Sequence, residues 1–256
     1  MMIADVVRAL AIPQNACVDQ RIPKKMLMQQ CAPTQADKRK IQDGIEDMFW
    51  IAALKPSNIA VPVCRDEVRE YLEIAVISAT LRPKAKSSRL VELIHRSIPY
   101  PAVFLSAQAE AVTFSLAHKR HSLGEAGQVV IDGDIVAVDI SRESALETNF
   151  MASLAVARQP ATNLYALYQS WMNRVEELTA ARITGHYVST ETLSDTAARK
   201  EAIKDHVKIR CELAALRADA LKEKQLNRRV EINLKIKKLE AGLNAKMHFL
   251  KVGEKK

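Results

Sequence analysis

Residues 71–81 read YLEIAVISATL, residues 86–98 read KSSRLVELIHRSI and residues 101–106 read PAVFLS. The first stretch is apolar on both parities and rich in β-branched side chains, the profile of a central strand covered on both faces. In the second, Leu90, Ile94 and Ile98 recur at four-residue steps, which predicts an amphipathic helix with Ser87 or Ser88 as its cap. Pro99-Tyr100-Pro101 stops it. PAVFLS and the following AVTFSLA (111–117) predict two strands around the turn AQAE. In the second of these, Val112, Phe114 and Leu116 alternate with Thr113 and Ser115, so one face is core and the other more polar. VVIDGDIVAVDI (129–140) carries Asp132-Gly133 between apolar runs and predicts a hairpin.

Upstream, the first thirty or so residues are mixed. From Thr34 the steps Ile41, Ile45, Met48 and Ala52 predict one helical face, ended near Leu54 by Lys55-Pro56. NIAVPV (58–63) then predicts a short strand, with Pro62 placing it at an edge. Residues 1–150 therefore predict one α+β domain, a mixed sheet of about five strands with packed helices.

Downstream, residues 151–256 predict an all-helical domain. Leu164, Leu167, Trp171, Val175 and Leu178 form an apolar stripe, widened by Tyr168 and Met172. GHYVSTETLSDT (185–196) is a polar connector. Residues 197–250 contain no Pro and a single Gly, and as one helix would reach about 80 Å. Their seam runs Ile209, Leu213, Leu216, Ala220 and then Ile232, Ile236, Leu239, Leu243. The interval from Ala220 to Ile232 is not a whole number of heptads, which demands a stutter or a local break. Two arrangements follow: a hairpin folded back on the preceding helix, or a dimerising coiled coil. The expectation is mostly one helix, antiparallel to the helix at 162–183, with Leu213 and Leu216 meeting Trp171 and Val175. Ile232, Ile236, Leu239 and Leu243 would then be left to pair with another protein or, as a homodimer, with another copy.

With 48% apolar and 27% charged residues in 256, the chain has the composition of a folded protein rather than a disordered one. No apolar run approaches the length of about 18 that a membrane span needs, and Asp5 and Arg8 interrupt the N-terminal apolar stretch, which makes a poor signal peptide. Cys17, Cys31, Cys64 and Cys211 lie too far apart for a zinc site. The expectation is a cytoplasmic protein with reduced thiols, no metal and no cofactor. No Gly-rich phosphate loop, GxSxG or HExxH motif is present.

Charge is unevenly laid out. Residues 1–195 hold 21 Lys and Arg against 22 Asp and Glu; residues 196–256 hold 17 against 8. The excess positive charge thus sits in the last quarter, where Lys224, Arg228, Arg229, Lys235, Lys237 and Lys238 could meet a phosphate backbone without sequence specificity. The alternative is the solvated flank of a coiled coil. His118-Lys119-Arg120-His121 ends the alternating strand, where it could bind phosphate or supply an acid–base histidine, or be a solvated strand end. His95 and Arg96 lie just before the helix stop, with His95 beside the apolar face. Asp66, Glu67, Glu70 and Glu73 lead into the central strand, as the acids of a metal-dependent nuclease do, but no lysine follows Glu73 at the required offset. His95, His118 and Glu73 are the catalytic candidates of a hydrolase reading.

The blocks RIPKK, DMFWIAALKPSNIAVP, REYLEIAVISATL, LVELIHRSIPYPAVFL, FSLAHKR, ATNLYALYQSW and QLNRRVEINLKIKKLE, in this order, resemble the bacterial family called domain of unknown function 4391. The resemblance runs from Arg21 to Leu243, with IHRSIPYP and SLAHKR as its most specific pieces; MQQCAPTQA (28–36) departs from it. The family carries no established activity. Its usual neighbours are helicases and DNA methyltransferases in restriction-like or antiphage islands, so the resemblance implies an accessory subunit with a helicase or methyltransferase partner. It also gives weight to His95, Arg96, His118, Lys119 and Arg120, which lie inside its blocks.

Overall fold

A computed structural model describes residues 2–31, 34–124, 127–140, 144–187 and 193–252. The central strand of the sequence forms as Ile74–Leu81 (β5). Around it a six-stranded sheet takes the order Cys17–Arg21 (β1), Ile45–Leu54 (β2), β5, Ala102–Gln108 (β6), Ala111–His121 (β7) and Val129–Ile140 (β8). Only β5 and β6 are parallel, and Ser87–Ser97 (α5) makes the crossover that parallel neighbours require. A separate two-stranded ribbon joins Cys64–Arg65 (β3) to Glu70–Tyr71 (β4).

Helices cover both faces. Lys24–Cys31 (α2), Gln35–Gly44 (α3) and α5 lie on one, where Leu27, Ile41, Leu90 and Ile94 pack with Ala75, Ile77, Ala79 and Phe104. On the other lie Ile3–Leu10 (α1), Ala145–Ser153 (α6) and the first half of Leu164–Thr184 (α7). There Phe114 of β7 meets Phe150 of α6 edge-on at 5.9 Å. Double coverage is why β5 is apolar on both parities.

Three local expectations are corrected. The helix expected from Thr34 to Leu54 ends at Gly44, and Ile45 onward is β2. Two β-bulges, between Ile45 and Asp47 and between Trp50 and Ala52, put extra residues into β2. They convert the two-residue period of a strand into steps of three and four, which imitate a helix. Gly44 also has a steric role, since a Cβ there would meet Leu90 Cδ1 at 2.7 Å. NIAVPV is not a strand: Pro56–Ile59 is a short helix (α4), with Asn58 accepting from Lys55 N and donating to Ala53 O. VVIDGDIVAVDI is one strand rather than a hairpin. Its Gly133, at φ +81°, sits where the β7–β8 register slips. The reversal comes earlier, where Ser122 N donates to Gln128 O. Gly133→Ala places no atom within 4 Å of the new Cβ, so its cost is backbone strain alone, about 1–2 kcal/mol by chemical denaturation. The cap of α5 differs as well: Lys86 is its N-cap, without a side-chain bond.

The chain divides into two compact units, Met1–Val175 and Glu176–Lys256. Trp171 of the α7 stripe is covered inside the first: it is fully buried and its Nε1 donates to Leu154 O at 2.9 Å. In the second unit the expected single helix is two, Leu193–Lys222 (α8) and Leu226–Val252 (α9). Residues 188–192 of the polar connector lie outside the described residues. Arg217 pairs with Glu240 (2.7 Å) and Asp205 with Lys246 (2.5 Å), so α8 and α9 run antiparallel. The break falls at Glu223–Gln225, where Glu223 accepts from Gln225 N, because the two halves of the seam can cover one another only if the chain reverses between them. Ile232, Ile236, Leu239 and Leu243 are accordingly half-buried. Within the single chain this partial cover comes from the return of α9 on α8. Ala180 and Ile183 of α7 pack with Ala202, Ile203 and Leu250. Among the described residues no helix is long and apolar enough to cross a membrane.

Candidate functional site

The basic residues expected at the exit of β7 do lie together in sequence, but the strand sends them to opposite faces. β6 and β7 pair as far as Phe104 and Ser115. Beyond that point Tyr168, reaching over from α7, fills the gap between them. Its hydroxyl accepts from Ala117 N (2.8 Å) and lies within hydrogen-bond distance of the carbonyl oxygens of Ala102 (2.8 Å) and Ala117 (3.1 Å). This one phenol completes the main chain of two strands where their ladder ends, and burial raises its pKa well above the ordinary tyrosine value.

His118 points to the α7 face. Its Nε2 meets Gln169 Oε1 at 2.7 Å, and Gln169 Nε2 in turn donates to Asn173 Oδ1. Nε2 must therefore carry the proton, and Nδ1 accepts from the Tyr71 hydroxyl. Desolvation pushes the Tyr71 pKa upward, which keeps that phenol a donor. Tyr165 stacks on the imidazole at 4.9 Å and carries the Arg69 guanidinium on its ring at 5.3 Å. Arg69 is itself clamped on Asp132 through Nε and Nη2. Both nitrogens of His118 are thus engaged in a buried polar relay that ties the β3–β4 ribbon to the sheet. His121 N, donating to Val68 O, secures the same ribbon.

Lys119 and Ser115 point to the α5 face. Lys119 is 1% exposed, and its ammonium donates to the main-chain oxygen of His95. His95 is fully buried. Its Nε2 lies 3.0 Å from Ser115 Oγ, which donates on to Phe104 O, so Nε2 bears the proton and Nδ1 is left as a buried acceptor without a partner. Burial, and then the charge of Lys119, lower the His95 pKa to about 3. This histidine is neutral at ordinary pH and out of reach of solvent.

Where β5, β6 and β7 come to this edge, a cavity of about 290 Å³ is lined by Glu70, Glu73, Tyr100, Lys119, Arg120 and His121. Glu73, Lys119 and Arg120 all line this cavity, but Glu73 is paired with Lys55 (3.0 Å) and Glu70 with Arg65 (2.8 Å). The convergence of His95, His118 and Glu73 that a hydrolase requires is not formed: one is in the core, one on the opposite face, one at the cavity. Arg96 is exposed and paired with Glu92. Among the described residues no group of three His, Cys, Asp or Glu is placed to hold a metal.

The second unit presents its candidates differently. Lys224, Arg228, Arg229, Lys235, Lys237 and Lys238 are all exposed, at the turn and along α9. The sequence reading missed Tyr71, Tyr165, Tyr168, Gln169, Arg69 and Asp132. Only the polar tips in NLYALYQSW hinted at them, since hydroxyls on an apolar stripe need buried partners.

No curated protein and no solved structure matches the chain. The family model described as a domain of unknown function (DUF4391) matches residues 10–243. IHRSIPYP and SLAHKR, the segments that carry the resemblance most strongly, meet in the fold where Lys119 reaches the His95 oxygen. With all but the two ends of its length matched, the chain belongs to the DUF4391 family.

Proposed function

We propose that this protein is a DNA-associated accessory subunit whose α8–α9 hairpin contacts the phosphate backbone, acting beside a helicase or methyltransferase partner in a restriction-like or antiphage system. One observation carries the DNA contact. The hairpin pairs Arg217 with Glu240 and Lys246 with Asp205, yet Lys224, Arg228, Arg229, Lys235, Lys237 and Lys238 have no ion-pair partner among the described residues. These point outward from the end of the chain that holds the net positive charge. Tail lysines matched to the tail's own glutamates would instead favour a partner-binding scaffold without nucleic-acid contact. The partner class comes from the family resemblance alone. The buried state of His95 and the engagement of both His118 nitrogens favour a binding role for the first unit over catalysis.

The test is salt-dependent binding of the full chain to duplex DNA. Changing Lys224, Arg228, Arg229 and Lys235 together to Gln should lower the slope of log affinity against log salt by about 3 to 4. An unchanged slope in a folded variant would remove the hairpin from the interface, and a wild type that binds no DNA would end this reading.

A further inference from the structure

A second basic feature lies in the first unit, in residues that the tail's charge excess does not include. A groove of about 620 Å³ opens between the end of α3 and the loop from β5 to α5, lined by Arg39, Arg82, Lys84 and Lys86 with Asp43 as the one acid beside them. Lys40 also borders it but is held by Asp37. Elsewhere in this unit several arginines find carboxylates: Arg21 with Asp47, Arg65 with Glu70, Arg69 with Asp132, Arg89 with Asp37 and Glu92, and Arg96 with Glu92; Arg158 donates to the Ala152 carbonyl oxygen. Around the groove, Arg39, Lys84 and Lys86 have no ion-pair partner among the described residues, and Arg82 donates only to the Asp43 carbonyl oxygen. Four exposed cations facing one concavity repel one another, and an anion placed there would relieve that repulsion.

The loop is built to hold this arrangement. Gln108 Nε2 lies within hydrogen-bond distance of the carbonyl oxygens of Arg82, Pro83 and Ala85, at 3.0, 3.3 and 2.9 Å. Arg82 N donates to Gly44 O, and a Cβ at Gly44 would crowd Leu90 Cδ1 at 2.7 Å and Ala85 Cβ at 3.3 Å. A loop fixed in this way loses little freedom when it binds. Lys86, which lines the groove, is the N-cap of the 11-residue α5, and no side chain caps that helix, so its first amides add to the positive field. The apolar part of the lining is Pro83, Ala85 and Gly44, with no aromatic ring to stack a base.

We propose that this groove binds phosphate groups, and that their source is the phosphodiester backbone of a nucleic acid, read without regard to sequence. The polymer assignment rests on the DNA-associated reading above; the phosphate site does not. The test uses the full chain as wild type, as Arg82→Glu with Lys84→Glu, and as the four-residue hairpin variant. Both groove positions are exposed, so the fold is retained, and circular dichroism checks it. Sodium tripolyphosphate should raise the melting temperature of the wild type and the hairpin variant but not of the groove variant. With duplex DNA, the groove variant should lose about 2 from the salt slope, independently of the hairpin's loss. Equal stabilisation of groove variant and wild type by tripolyphosphate, or stabilisation of neither, overturns the phosphate site whatever DNA does. The expected tripolyphosphate result with an unchanged DNA slope overturns the nucleic-acid source and assigns the groove to a free phosphorylated molecule.

Discussion

Acidification from about pH 7 to about pH 4.5 should cost the first unit about 2–3 kcal/mol of stability through His95 alone. Its imidazole titrates near 6.5 in an unfolded chain, but burial and the neighbouring Lys119 charge hold it near 3 in the fold. Between those values the unfolded state carries a proton that the native state refuses. Stability is therefore complete above the unfolded value and falls by about 1.4 kcal/mol for each pH unit below it, until the folded value is reached. Denaturant unfolding followed by tryptophan fluorescence reports on this unit, because Trp50 and Trp171 both lie within it. His95→Leu should flatten the dependence. The main-chain oxygen that accepts from Lys119 survives that change, and Ser115 keeps its bond to Phe104 O. A variant whose stability falls with acid as steeply as that of the wild type would show that the proton uptake occurs elsewhere.

Tyr168→Phe should be comparably severe, about 3 kcal/mol at neutral pH. The ring would stay, so the loss is polar. Ala117 N would be left inside the protein without the hydroxyl that accepts from it, and the Ala102 and Ala117 carbonyl oxygens would lose a donor they share. The deleted atom lies where the β6–β7 ladder has already ended, so no strand neighbour can take its place. A cost below about 1 kcal/mol would mean that water enters the gap and replaces the phenol.

Both side chains stand in segments whose secondary structure was readable, yet neither role was. Leu164, Leu167, Trp171, Val175 and Leu178 announced α7, and all five are buried. Tyr168 belongs to the same stripe, but what its hydroxyl meets depends on where two strands part, some fifty and sixty-six residues earlier in the chain. His118 and Lys119 are consecutive, and strand alternation assigns them to different faces from sequence alone. It could not say that one face holds Tyr71 and Gln169 and the other His95.

Where the reading of secondary structure failed, bulges and reversals were the cause. The bulges of β2 and the slipped register at Gly133 are set by the neighbouring strand, so the apolar spacing of one segment alone misreports them. The uneven charge distribution, the doubly covered strand β5 and the amphipathic helix α5 were legible because each follows from composition or from a backbone repeat acting within a few residues. The antiparallel return of α9 on α8, the burial of His95, and the gathering of Arg39 with Arg82, Lys84 and Lys86 around one groove were not. Those depend on which distant segments pack together. Packing decides which charges find partners and which remain to meet a ligand.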